Sequence, residues 1–181
     1  MVRMASYCRF WRLKPSSMKT VTSVFHLLKT SAARELMVHM EGQQLRYDPN
    51  PVYLGVTLDR TLSNRQHLTK TAGKLQNRNN LLMKLAGSSR GANANTLRSS
   101  ALALWYSVAE YCCPVWQGST HDSLVDAQLH SSMHLISGTI RSTPLPWLTV
   151  LTNIEPPALR RRAAIDKLIT QAECHHDWFF I

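Results

Sequence analysis

The apolar residues of this chain change their period at Ser63, and that change divides what the chain can fold into. From there Leu68, Ala72, Leu75, Leu82 and Ala86 recur every three to four positions, the spacing of one helix face. Before it the pattern is that of strands. The stretch 19–26 alternates and is rich in β-branched residues, with Val21, Ser23 and Phe25 opposite Thr22, Val24 and His26. Residues 36–40 and 44–47 flank a turn at Gly42 and predict a hairpin. After the loop Asp48, Pro49, Asn50, Pro51, residues 52–58 predict a further strand. A helix end over 5–13, stopped by Pro15, precedes them all.

The fold class expected is α+β: a small antiparallel sheet with a helix remnant over 1–60, then an all-α bundle over 61–181. Gly87 and Gly91 end the first helix of that bundle. Asn95 is expected to cap a second over 96–111, stopped at Cys113 and Pro114. A third over 122–138 turns Leu124, Leu129, Met133 and Ile136 inward. Pro144, Pro146, Pro156 and Pro157 break the next stretch into turns, and a last helix over 158–173 has Ile165, Leu168, Ile169 and Ala172 on one side. With 181 residues and 44% hydrophobic content the chain buries a core as one domain or two small ones.

Charge is distributed unevenly. Between Asp59 and Glu110 no carboxylate occurs, while Arg60, Arg65, Lys70, Lys74, Arg78, Lys84, Arg90 and Arg98 all lie there. Residues 1–34 likewise hold no acid before Glu35. A surface of one sign repels itself and is useful beside a polyanion, and each cation set on a phosphate releases condensed counterions. Lys70, Lys74 and Arg78 form an i, i+4 row on a different face from the leucines. The net charge of +10 agrees with a nucleic-acid partner.

Most catalytic chemistry has no residues to carry it. Cys174, His175, His176 and Asp177 are contiguous, whereas a tetrahedral zinc site draws spaced pairs from two segments, so no metal site is assigned. No Gly-x-Ser-x-Gly nucleophile elbow and no glycine-rich phosphate loop is present. A lone histidine such as His67 reads as a solvated residue. Two-metal phosphoryl transfer needs converging carboxylates. Only 11 acids exist, and none occurs as Asp-Asp, Asp-x-Asp or Asp-x-Glu. The four cysteines show no Cys-x-x-Cys spacing and read as reduced, intracellular thiols. No apolar run approaches the roughly 20 residues of a membrane span. The ending Trp178, Phe179, Phe180, Ile181 reads as a chain cut from something longer.

An ordered set of motifs covers nearly the whole chain. It comprises Trp11 to Thr20, Phe25 to Leu27, Tyr53 to Asp59, Thr61 to Ser63, Leu97 to Leu104 and Tyr106 to Cys112. Pro114 to Trp116, Thr143 to Trp147, Asn153 to Pro157 and Leu159 to Arg161 follow. In this order they resemble the reverse transcriptase of non-LTR retrotransposons, in particular the jockey-like RNA-directed DNA polymerases. The resemblance implies that Lys19 and Thr20 lie on the palm strand after the catalytic loop. Lys19 would then be an auxiliary lysine near the leaving pyrophosphate. Tyr53, Leu54, Gly55 and Val56 would form a primer-grip-like hairpin. The helices beyond are similar to the thumb, with Arg65, Lys70, Lys74, Arg78, Lys84, Arg90 and Arg98 following an RNA/DNA template–primer duplex along its phosphates.

The family's Tyr/Phe-x-Asp-Asp loop is not among these residues, and Lys14, Pro15, Ser16 and Ser17 stand where that family has an asparagine-containing loop. Magnesium, the cofactor of the intact parent enzyme, therefore has no ligands here, and the chain by itself is expected to be inactive. Target-primed copying in that family implies access to chromosomal DNA, hence a nuclear location. Two other readings share the residues. One is a non-catalytic basic nucleic-acid-binding module, or the inert relic of a truncated element. The other is an interaction protein whose interface draws on Trp105, Tyr106, Tyr111, Trp116, Trp147 and Trp178.

Overall fold

The computed structural model describes residues 2–40, 42–87 and 91–175, and they fall into two units, Met1–Leu62 and Ser63–Ile181. The boundary lies two residues from the expected one.

The first unit opens with α1 (Val2–Phe10). Arg12, with φ of +53°, ends its final turn, before Pro15 is reached. Then come β1 (Val21–Thr22), the short helix α2 (Lys29–Ala32), β2 (His39–Met40), β3 (Gln43–Gln44), β4 (Arg46–Tyr47), β5 (Val52–Tyr53) and β6 (Val56–Thr57). These strands make three two-stranded ladders instead of one sheet. Two are hairpins. His39 pairs with Gln44 and Met40 with Gln43, around Gly42 at φ +80°. Val52 pairs with Thr57 and Tyr53 with Val56.

The third ladder, β1 with β4, is parallel, contrary to the antiparallel expectation. The crossover from 23 to 45 contains α2 and a hairpin, which is long enough to bring the chain back in the same direction. Only Ala32, Met40, Leu45 and Val56 supply buried apolar side chains among the described residues of this unit. A core that small supports only short ladders, because each strand has little to pack against.

The second unit is helical throughout. It runs α3 (Arg65–Leu85), α4 (Ala94–Ala101), a π-helical turn (Leu102–Tyr106), α5 (Ser107–Ala109), α6 (Cys113–Trp116), α7 (Ser123–Ser137), α8 (Leu145–Thr152) and α9 (Pro157–Cys174). The predicted inner face of α3 holds: Leu68, Leu75 and Leu82 are completely buried. They join Trp105, Tyr106, Trp116, Val125, Leu129, Met133, Ile136 and Leu148 in one core. Asn93, not Asn95, caps α4, its side chain accepting from the Thr96 N–H at 2.8 Å. On α7 Val125 takes the inward position, and Leu124 is exposed. Gly138, at φ +66°, closes that helix in the left-handed conformation that glycine adopts without strain.

The prolines do not break the later chain into turns. Pro144 and Pro146 start α8, and Pro156 and Pro157 start α9. A proline in the first turn lacks an N–H that would have no helical partner anyway. Pro114 does the same for α6, one residue into the helix that follows Cys112 at φ +51°.

Candidate nucleic-acid interface

Helix α3 carries the cationic row. Its start is fixed by hydrogen bonds with α6 and the loop after it: Ser119 Oγ of the loop donates to the Ser63 carbonyl at 2.7 Å, and Asn64 Nδ2 donates to the carbonyl of Val115 in α6 at 3.4 Å. Farther along, buried Asn79 donates to the Gln128 carbonyl of α7 at 3.1 Å and to its side-chain oxygen at 3.3 Å. With the leucines between, these contacts fix the rotation of α3 about its axis and so decide which side chains face outward.

Lys70 and Lys74 are exposed and Arg78 is half-buried, one turn apart on a single side. Lys84, fourteen residues after Lys70, returns to within roughly 40° of it at 3.6 residues per turn. Arg65, nine residues before Lys74, lies about half a turn round the helix, off the row. Arg98 belongs to a different task. Its guanidinium donates through Nε at 3.1 Å and Nη2 at 2.9 Å to the carbonyl of Asn153, the left-handed residue that ends α8. Arg90 lies outside the described residues.

His67 is buried on α3 rather than solvated. Burial, then the Lys74 and Lys70 ammonium groups, holds its imidazole below the ordinary histidine pKa. The cationic row adds to the effect of burial, since a third positive charge there is disfavoured.

Two arginines unassigned at the sequence level organise the packing of α9. Arg160 pairs bidentately with Glu110, Nη2 to Oε2 at 2.8 Å, and lies 5.0 Å over the Tyr106 ring. Arg161, only 4% exposed, does the same with Asp126, Nη2 to Oδ2 at 3.0 Å, and lies 5.5 Å over Trp116. These forked pairs fasten α9 to the bundle and engage Glu110 and Asp126. The signal in the sequence was only a pair of adjacent arginines, and their partners lie 50 and 35 residues away.

In the first unit the four hairpin residues split by role. Val56 is core. Leu54 and Gly55, at φ +46° and +82°, are the two central residues of the turn, and both require positive φ as in a type I′ hairpin. Tyr53 is 67% exposed and Leu54 73%. Residues 52–58 are thus a tight hairpin instead of one strand. Lys19 is exposed in the turn of residues 16–20, its N–H donating to the Ser16 carbonyl at 3.2 Å, ahead of β1. Asp59 accepts from the Thr61 hydroxyl at 3.3 Å. Arg60 turns instead to Glu35 at 3.6 Å and lies 5.2 Å over Tyr47.

A stretch of 113 residues, 62% of this chain, is 29% identical to a probable RNA-directed DNA polymerase from a transposon, BS, of Drosophila melanogaster. The chain is related to a retrotransposon reverse transcriptase. The matched stretch covers 12% of that relative's length. No protein-family model matches the chain, and no solved structure matches it. Among the described residues no cluster of three His, Cys, Asp or Glu could hold a metal ion, and no helix is long and apolar enough to cross a membrane.

Proposed function

We propose that this chain is the palm end and thumb-like region of a jockey-like reverse transcriptase and that it grips the template–primer duplex by its phosphates. The observation that carries the reading is the α3 row: Lys70, Lys74, Arg78 and Lys84 on the side of a helix whose other side is locked into the core. No carboxylate occurs between Asp59 and Glu110 to neutralise that side locally. The similarity to a transposon polymerase supplies the context. Contacts of this kind go to the backbone, so binding follows duplex shape and ignores base order.

In the intact enzyme the exposed tip Tyr53–Leu54 would face the primer strand, and Lys19 would stand near the departing pyrophosphate. Magnesium would supply the charge neutralisation of nucleotide transfer. The donor set of this chain does not fit it, since Glu110 and Asp126 are engaged by Arg160 and Arg161 and no acids are adjacent. The chain's own contribution is therefore binding and orientation, in a nuclear compartment where RNA is copied into DNA at a chromosomal target.

Binding of a labelled RNA–DNA hybrid across a salt series tests the reading. Replacing Lys70 and Lys74 together by glutamine is expected to weaken binding and to lower the salt slope by up to roughly two. An unchanged slope removes both lysines from the contact set.

A further inference from the structure

Helix α9 is covered along only part of its length. In its first two turns Pro157 and Arg161 are buried, and Ala164 still packs against the core. From Asp166 to Cys174 every residue is exposed except half-buried Ala172. The face that begins inside nonetheless continues. At 3.6 residues per turn Pro157, Arg161, Ile165, Leu168, Ile169 and Ala172 share an arc of about 120°. Past the bundle that arc is an apolar stripe at i, i+3, i+4, i+7, with Leu168 44% and Ile169 49% exposed.

The charges beside the stripe point to its occupant. Arg162 and Glu173 are both exposed on the flank next to Ile169. Eleven residues separate them, so they lie within about 20° of one line and about 16 Å apart along the axis. A second α9 laid antiparallel, its two-fold axis level with Leu168, sets Arg162 of each copy against Glu173 of the other. The stripe and its flank are thus complementary to themselves, as an isologous interface requires. A parallel copy would bring like charges level, and flanking charges set the orientation of paired helices. Over 162–174, Arg162 and Lys167 balance Asp166 and Glu173. This part of α9 therefore escapes the mutual repulsion of a chain with net charge +10, and it offers nothing to a polyanion.

We propose that two copies of this chain associate through the second half of α9, antiparallel, with Ile165, Leu168, Ile169 and Ala172 as the apolar seam and Arg162–Glu173 pairs at both ends. The inference stands apart from the duplex-gripping reading. Each copy contributes a patch smaller than the roughly 800 Å² of a standard interface, so the pairing is weak and depends on concentration.

Sedimentation equilibrium of the full chain in reducing buffer, from about 5 to 200 μM, tests it. Wild type is expected to exchange between monomer and dimer across that range. Arg162→Glu is expected to weaken pairing at least about tenfold, because two-fold symmetry makes one substitution act at two places. Adding Glu173→Arg to that variant should restore the affinity to within about threefold of wild type. Leu168→Glu should leave the protein monomeric without lowering its melting midpoint. A wild-type chain that stays monomeric overturns the proposal. So does association indifferent to the charge reversal, which would come from other exposed apolar surfaces. A lowered melting midpoint for Leu168→Glu overturns it as well, since the stripe would then be covered within its own chain.

Discussion

At the scale of single residues, His67 reports the field around it. Burial and two neighbouring lysines lower its pKa. His130 on α7 is lowered chiefly by burial, with His134 and Arg161 adding to the effect and Asp126 opposing it. In the unfolded chain both titrate near the ordinary value of about 6.5. Above that pH neither state is protonated, and stability does not depend on these groups. Below it the unfolded chain takes up protons that the folded protein does not, so stability falls as the pH drops toward the depressed folded values. The urea midpoint is therefore expected to hold steady from about pH 8 to 7 and to decline from about pH 6.5 downward, less steeply in His67→Gln. An equal decline in that variant would show that His67 is not the group responsible. None of this was readable from the sequence, where His67 looked solvated. Its inward direction depends on the rotation of α3, which contacts with α7 and the loop after α6 decide.

At the scale of elements, the positions of α3, α4, α7 and α9 followed from periodicity while α6 and α8 did not, and which helix faces are buried followed only in part. The leucines of α3 are inside as expected. On α9 the expected inner residues Leu168 and Ile169 are 44% and 49% exposed, and the buried side chains are Pro157 and Arg161. An amphipathic pattern marks a face able to pack and does not say that a partner covers it. The start of α9 is held by charge instead. Arg161→Ala would leave Asp126 without its forked partner and remove the cation over Trp116, at a cost of about 3 kcal/mol. Arg161→Lys should recover only part of that, since an ammonium cannot make the two parallel bonds. Urea unfolding monitored at 222 nm checks both. A loss for Arg161→Ala below about 1 kcal/mol would mean that the pair acts like an ordinary surface salt bridge. The π-helical turn Leu102–Tyr106 is the other element without a sequence signature. The extra residue in that turn shifts the register, and Trp105 and Tyr106 both end up in the core.

At the scale of the whole molecule the two units differ in how much they bury. The helical one has a continuous core of large side chains. In the other, Tyr7, Phe10, Trp11, Met18, Leu27 and Met37 are exposed along with the hairpin tip, and few residues are fully inside. Residues 63–181 expressed alone are therefore expected to keep a helical circular-dichroism spectrum and a cooperative melt with a midpoint within about 5 °C of the full chain. Loss of the cooperative transition would show that the helical core depends on the first sixty-two residues.

The switch at Ser63, the inner leucines of α3 and the i, i+4 row were determined by the sequence alone, because periodicity and charge spacing are local and survive any arrangement of the neighbours. The split of the cations was not. Arg98 binding the Asn153 carbonyl and Arg160 and Arg161 engaging distant carboxylates depend on segments 35 to 55 residues apart coming together. Only packing brings such segments within hydrogen-bonding reach, so only the tertiary structure decided which positive charges hold the fold and which are left facing outward.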